Sequence, residues 1–112
     1  MDLEVEELAR GVTLVNLIGR MDIAGAAAVD LRMSVISGRS RAVVINLTQV
    51  SYLASMGIRT LVLATKAIAS KGGKVVCFGA SHDVTRVLET AGITSILPIL
   101  TDLESASAAV AP

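Results

Sequence analysis

The apolar positions along the chain fall into two patterns, one typical of β-strands and one typical of α-helices. Near the N-terminus, apolar and polar side chains alternate on both sides of a turn at Arg10 and Gly11, which predicts a hairpin whose second strand ends at Gly19. Further along, short and mostly β-branched apolar runs indicate strands that are buried on both faces. The predicted strands are residues 3–8, 12–18, 42–45, 74–78 and 96–100.

The segments between these strands have helical composition or a helical spacing of apolar residues. The first two helices are expected at residues 24–37 and 56–70. The first is rich in alanine, and we expect Leu31 and Val35 to face the sheet from it. The predicted cap residues are Gly38, Ser81, Gly92 and the capping-box pair Thr101 and Glu104.

Strands and helices therefore alternate after the opening hairpin, in the order ββαβαβαβα. This order predicts an α/β fold with a mixed, largely parallel sheet that is covered by helices. A length of 112 residues suits one compact unit, and no repeat or linker interrupts the chain. We expect residues 1–112 to form a single domain.

Charge and composition argue against several functional classes. Ten basic and ten acidic side chains cancel, so the electrostatic footprint of a nucleic-acid binder is missing. No apolar stretch reaches the roughly 18–20 residues that a membrane span needs, and the acidic residues 1–7 do not resemble a secretory signal. We expect a soluble, cytoplasmic protein that neither binds nucleic acid nor inserts into a membrane.

Side chains suited to catalysis or metal binding are few. The one cysteine, Cys77, lies in an apolar run, and the one histidine, His82, precedes Asp83 at the start of the third helix. Cys77 is expected to be a core residue. His82 and Asp83 do not form a catalytic pair, because adjacent helical residues do not face each other. We expect no metal site, no cofactor and no enzymatic activity.

A candidate site lies at the carboxyl ends of the second and third strands, because loops there meet at one edge of a parallel sheet. One loop contains Asp22, and the other is predicted to run from Asn46 to Ser55 into the second helix. Free amides at the start of that helix favour an anion. Ser55 is expected to be its N-cap.

The second helix has apolar residues on two sides. At ~3.6 residues per turn, the side expected to face the sheet contains Ile58, Leu61, Val62, Thr65, Ile68 and Ala69. The opposite side contains Met56, Thr60, Leu63 and Ala67, edged by Arg59, Lys66 and Ser70. Isolated exposed apolar residues are common, but a solvated face does not need both Met56 and Leu63. We expect this side to contact a protein partner.

Three segments resemble the STAS domain of bacterial anti-sigma factor antagonists. They are Gly19–Asp22 before the alanine-rich helix, Asn46–Gly57, and Ile96–Glu104. The resemblance implies partner switching, in which the unmodified antagonist binds an anti-sigma factor, a kinase of the histidine-kinase-like ATPase type. Phosphorylation of a loop serine, and its reversal by a phosphatase, would control that binding. A phosphoserine adds about −1.5 to −2 charge, which disfavours an apolar contact beside it.

The chain departs from the family pattern where phosphorylation is concerned. The family loop reads Asp-Ser-Ser-Gly with the second serine as acceptor, whereas this chain has Ala54-Ser55-Met56-Gly57. Met56 has no hydroxyl, so Ser55 is the remaining candidate acceptor. The alternative is a constitutively unphosphorylated binder whose Met56 strengthens the apolar contact. The residues assigned to partner binding are Asp22, Thr48, Ser51, Ser55, Met56, Gly57, Arg59, Thr60 and Leu63.

Two other functions fit a layered α/β architecture. A response-regulator receiver requires clustered acids at the strand ends, whereas Asp22 stands alone there. The STAS resemblance also extends to another kind of assembly, such as the cytoplasmic component of a lipid-transport ATPase or a stress-signalling complex. The identity of the partner distinguishes these assemblies from an anti-sigma factor complex.

Overall fold

A computed structural model describes all 112 residues. The five strands are β1 (Asp2–Glu7), β2 (Thr13–Met21), β3 (Ala42–Leu53), β4 (Lys74–Phe78) and β5 (Ile99–Leu100). The four helices are α1 (Ile23–Arg39), α2 (Ser55–Ser70), α3 (His82–Thr90) and α4 (Leu103–Val110). The predicted order ββαβαβαβα is confirmed.

The strands form one sheet in the order β1-β2-β3-β4-β5. β1 is antiparallel to β2, and the three other neighbouring pairs are parallel. Arg10 and Gly11, both with positive φ, reverse the chain between β1 and β2. The predicted hairpin and the mixed, largely parallel sheet are therefore confirmed.

Helices cover the two faces of the sheet unequally. The larger apolar cluster joins one face to α1, α2 and α3, and includes Ile45, Leu61 and Leu88. A smaller cluster on the other face packs residues such as Val44 against Ala106 of α4. Residues 42–45, the first part of the central strand β3, are thus buried on both faces, as their continuous apolar run predicted. No helix is long and apolar enough to cross a membrane.

Strands β2 and β3 are longer than predicted. Beyond Gly19, β2 continues to Met21, which pairs with Leu53, and two register shifts accommodate the pairing between the strands. The predicted loop from Asn46 to Ser55 is therefore wrong, since most of it belongs to β3. Polar side chains in this segment lie on the exposed side of a strand, while strand pairing satisfies the backbone.

Helix α1 turns a different side to the sheet from the predicted one. Leu31 and Val35 are 77% and 52% exposed, and the buried positions are Gly25, Ala26, Val29, Met33, Ile36 and Ser37. Gly38 is not the C-cap, because the helix continues to Arg39 and Ser40 follows it as the cap. The apolar residues of α1 are distributed around its whole circumference, so the sequence pattern alone does not show which face is buried.

The caps nearer the C-terminus are partly as predicted. Ser81 accepts a hydrogen bond from the Val84 amide at 3.1 Å, and Gly92 adopts the left-handed conformation after α3. The predicted capping box of Thr101 and Glu104 is wrong. Asp102 is the N-cap of α4, and its carboxylate accepts a hydrogen bond from the Ser105 amide at 2.8 Å. The last strand is also shorter than predicted, because it begins at Ile99 and not at Ile96.

Cys77 is a core residue, as expected, with no exposed surface. Burial raises the pKa of its thiol to about 12, so the thiol stays protonated at neutral pH, and the thiolate is the reactive form. We expect the native protein not to react with a thiol-directed reagent such as DTNB at about pH 8, and one equivalent to react after unfolding in guanidinium. Rapid labelling of the native protein would contradict this core position.

Candidate partner-binding site

The ends of β2 and β3 bring the starts of α1 and α2 together. Met21 and Leu53, the last residues of the two strands, are register partners. The Ala54 amide donates a hydrogen bond to the Met21 carbonyl oxygen at 3.1 Å. Asp22 directly follows Met21, and Ser55 follows Leu53 by two residues. The structure therefore places both at one edge of the sheet, as the sequence predicted.

Asp22 is the N-cap of α1. Its Oδ1 accepts a hydrogen bond from the Gly25 amide at 2.8 Å, and its Oδ2 lies 3.6 Å from Nε of Arg20. The guanidinium of Arg20 also stacks over the ring of Tyr52, 4.4 Å from its centroid. The amide of Gly25, reinforced by the charge of Arg20, holds the pKa of Asp22 below its ordinary value. Asp22 is therefore ionised at neutral pH.

Asp22 and Asp102 should together make the fold sensitive to acid. The Ser105 amide lowers the pKa of Asp102 in the same way. A carboxyl group with a lowered folded-state pKa stabilises the fold above the ordinary value of 3.8, and that stabilisation is lost as the pH falls through the folded-state pKa. Between about pH 5 and pH 3, we expect the wild type to lose more stability than the Asp22→Asn/Asp102→Asn variant, whose caps do not titrate. Equal losses in urea denaturation would contradict this assignment.

Ser55 is the first residue of α2 and not its N-cap, so that prediction is wrong. Ala54 occupies the cap position with an extended backbone, and it has no side-chain hydrogen bond to offer. Ser55 is exposed. The first amides of α2 therefore lack a side-chain cap, and an exposed hydroxyl lies among them.

The outer side of α2 is exposed at six of the seven positions that the sequence assigns to it or to its edges. Met56 and Leu63 are 37% and 51% exposed, and Arg59 is exposed. The prediction that Thr60 lies on the surface is wrong, because its side chain is only 4% exposed. The reason is that α1 packs beside α2 and covers this part of the helix, a neighbour that a helical wheel does not include.

Thr60 connects the two helices. Its Oγ1 lies 2.5 Å from Oδ1 of Asp30 in α1 and 3.1 Å from the carbonyl oxygen of Met56. The sequence does not predict this contact of Asp30, since no local pattern relates two residues thirty positions apart. This contact fixes the start of α2, where Met56 lies, relative to α1.

Gly57 is buried and allows α2 to approach the strand ends closely. A Cβ atom at this position would lie 2.7 Å from both the Met21 carbonyl oxygen and Cδ1 of Leu53. The assignment of Gly57 to the partner-contacting surface is therefore wrong. Its contribution is the packing that positions the neighbouring Met56.

Ser51 and Thr48 lie on β3 and not in a loop. Ser51 is exposed, and its hydroxyl donates to the Gly19 carbonyl oxygen at 3.4 Å. The Thr48 hydroxyl donates to Oδ1 of Asn46 at 2.7 Å. Thr48 precedes the end of the strand by five residues, about 16 Å at the usual strand rise. The structure therefore groups Ser51 with the start of α2 but leaves Thr48 apart from it.

Comparison with known proteins places this fold in a family. The STAS-domain family model matches residues 4–106. The anti-sigma F factor antagonist of Paenibacillus polymyxa is 30% identical in an alignment that covers 96% of this chain and 100% of that relative. The structure of an anti-sigma factor antagonist from Mycobacterium paratuberculosis superimposes with a TM-score of 0.85 at 26% identity, covering 97% of this chain and 92% of the other.

A more distant structure shares the same fold. It is the Bacillus cell fate determinant SpoIIAA in its phosphorylated form, with a TM-score of 0.74 at 15% identity, covering 96% of this chain and 99% of that one. The family match extends over most of this chain, and the curated relative aligns along its whole length. The chain therefore belongs to the STAS-domain family of anti-sigma factor antagonists.

Proposed function

We propose that this protein is an anti-sigma factor antagonist that binds a kinase-like ATPase anti-sigma factor through the start and outer side of α2. The observation that supports this most directly is the exposure of Met56 and Leu63. Both project from the same side of the helix, seven residues apart. Met56 lies in the first turn of α2, whose start has no side-chain cap, and Leu63 lies two turns further along the same side.

Binding at this surface would bury apolar area without disturbing the fold. Full burial of such a side chain is worth about 1.5–3 kcal/mol, so the half-exposed Met56 and Leu63 would each contribute about 1 kcal/mol. Methionine adapts its shape to a partner because it is unbranched. The exposed Arg59 between them suits a carboxylate on the partner.

Co-purification from the native cells tests the class of partner. We expect a tagged chain to retain a kinase-like ATPase, and a Met56→Glu variant to lose it. Retention of a transport ATPase instead would assign the chain to the alternative kind of STAS assembly. If the wild type and the Met56→Glu variant retain the same protein, the α2 surface is not the binding site.

Phosphorylation of Ser55 is a form of control that this site could support. The exposed hydroxyl lies at the first position of α2, where free amides and the helix dipole favour a phosphate. Phosphorylation would therefore not unfold the helix. It would place about −1.5 to −2 charge next to Met56, where an apolar partner surface would dock.

Mass spectrometry after incubation with the cognate kinase and ATP tests this control. We expect one phosphate on Ser55 and none on a Ser55→Ala variant. Phosphate on Ser51, Thr48 or Thr60 would contradict the assignment, and Thr60 is already buried against Asp30. A chain that binds the kinase but acquires no phosphate would be the constitutive binder that Met56 at the family's acceptor position suggests.

A further inference from the structure

Helices α1 and α2 lie side by side and enclose an open groove of about 440 Å³. Thr60, hydrogen-bonded to Asp30, lies at its base. Ser34 and Gly38 line the groove from α1, and Leu63 and Ala67 line it from α2. Most of these side chains are small, so the space between the helices is not filled from within the chain.

Two of the three large exposed apolar side chains of α1 lie within one turn of residues that line this groove, and the third, Ile23, lies at the start of the helix. Leu31 and Val35 are one helical turn apart, and both are mostly exposed. Leu31 precedes the groove residue Ser34 by three positions, and Val35 precedes Gly38 by three. Neither side chain lines the groove itself, but both extend its apolar lining, which includes Leu63, onto the outer side of α1, and an exposed apolar surface is a mark of a binding site.

Gly38 gives an independent indication of an external occupant. It lies within α1, where glycine weakens a helix relative to alanine. Its φ is not positive, and no atom lies within 4 Å of the place where its Cβ would be. Nothing inside the chain therefore requires glycine at this position, whereas a side chain docked in the groove would.

The charges on the two helices indicate what kind of partner fits. Between them α1 and α2 carry one acid, Asp30, and four bases, Arg32, Arg39, Arg59 and Lys66, although the whole chain carries ten of each sign. Arg32 does not contribute to the groove, because its guanidinium donates to the Leu3 carbonyl oxygen at 2.7 Å. The carboxylate of Asp30 is engaged by Thr60. Arg59 itself lines the groove. The surface therefore attracts a segment that carries carboxylates.

We infer that this groove binds an acidic amphipathic helix of the partner protein. Its apolar side would lie against Leu31, Gly38 and Leu63, and its carboxylates would face Arg59 and Lys66, the usual helix-in-groove arrangement. The identity of the partner as an anti-sigma factor rests on the proposed function. The groove extends the contact surface from α2 to α1.

A synthetic peptide tests the groove without the natural partner. The probe is an amphipathic peptide of about 18 residues, with leucine on one side and glutamate beside it, and the control carries lysine in place of glutamate. In an NMR titration of the labelled chain, we expect the acidic peptide to shift the amide signals of Ser34, Gly38, Leu63 and Ala67. The lysine peptide should bind at least about tenfold more weakly. Equal binding of both peptides, or shifts confined to α4, would overturn the inference.

A Gly38→Gln variant should lose peptide binding in the groove without losing the stability of the fold. Glutamine is a better helix former than glycine, so the variant should be at least as stable, yet its side chain would occupy the groove. We expect at least about tenfold weaker peptide binding, with no change for the matched Ala108→Gln variant on α4. Unchanged binding by Gly38→Gln would overturn the inference. So would a concentration-dependent dimer that the substitution abolishes, because it would assign the groove to a second copy.

The purified kinase-like ATPase distinguishes this inference from the proposed function. Loss of ATPase binding in Gly38→Gln, with binding by the wild type, would support both. Binding by both forms would overturn the groove and leave the proposed function standing. If the wild type itself does not bind, the proposed function fails, and the peptide titration still decides whether the groove takes an acidic helix.

Discussion

Replacement of Gly25 by alanine is expected to lower the free energy of unfolding by about 3 kcal/mol, and the same replacement at Gly38 to raise it by about 0.5–1 kcal/mol. Both glycines lie in α1. At Gly25 a Cβ would overlap the carbonyl oxygen of Arg20, and it would also lie 3.2 Å from Oδ1 of Asp22. Since the overlap is with backbone, relief requires the helix to move away from the end of β2.

Gly38 is the matched control, because a Cβ there meets no atom within 4 Å. Alanine at this position only removes the flexibility of glycine in the unfolded chain and improves helix propensity. Urea denaturation of both variants measures the difference, with the dependence on denaturant concentration expected to stay constant. Two variants with similar stability would show that α1 does not start so close to β2.

The fold could be predicted from the sequence where patterns are local and unambiguous. The hairpin, the buried strands β3 and β4, and the Ser81 cap each depend on a short run of residues with one physical solution. The buried side of α1 could not be predicted, because small apolar residues occur all around that helix. The length of β3 could not be predicted either, because the half-buried Asn46 and the exposed Thr48 are polar residues that belong to the strand and not to a loop.

The candidate site could be predicted only in part, because some of its residues follow from the strand order and others from helix packing. Sequence places Asp22, Ser55 and Met56 at one edge of the sheet, since the ends of parallel strands meet there. It cannot place Thr60, whose burial depends on Asp30 in another helix. Nor does it show that Gly57 faces the strand ends. These positions depend on helix packing, which only tertiary structure specifies.

Glutamate at Met56 or Leu63 is expected to weaken binding of the anti-sigma factor by a factor on the order of 100, equivalent to about 2.7 kcal/mol. Each substitution replaces an apolar contact with a charge that would have to be buried in the complex. Both positions are exposed in the free protein, so the fold should be unaffected. At Met56, a negative charge in the first turn of α2 is compatible with the helix dipole.

Leu103 provides the control for these variants. It is a partly exposed apolar residue, 36% accessible, but it lies at the start of α4 on the opposite face of the sheet. Leu103→Glu adds the same charge to the same chain. We expect it to bind the partner as tightly as the wild type, and circular dichroism should show the same fold for all variants.

Calorimetric titration of the purified kinase-like anti-sigma factor into the wild type, Met56→Glu and Leu103→Glu measures whether the start of α2 binds this partner. We expect a saturable complex with the wild type and with Leu103→Glu, and affinity lower by a factor on the order of 100 for Met56→Glu. Absence of binding by the wild type, or equal affinity for all three proteins, would contradict this expectation.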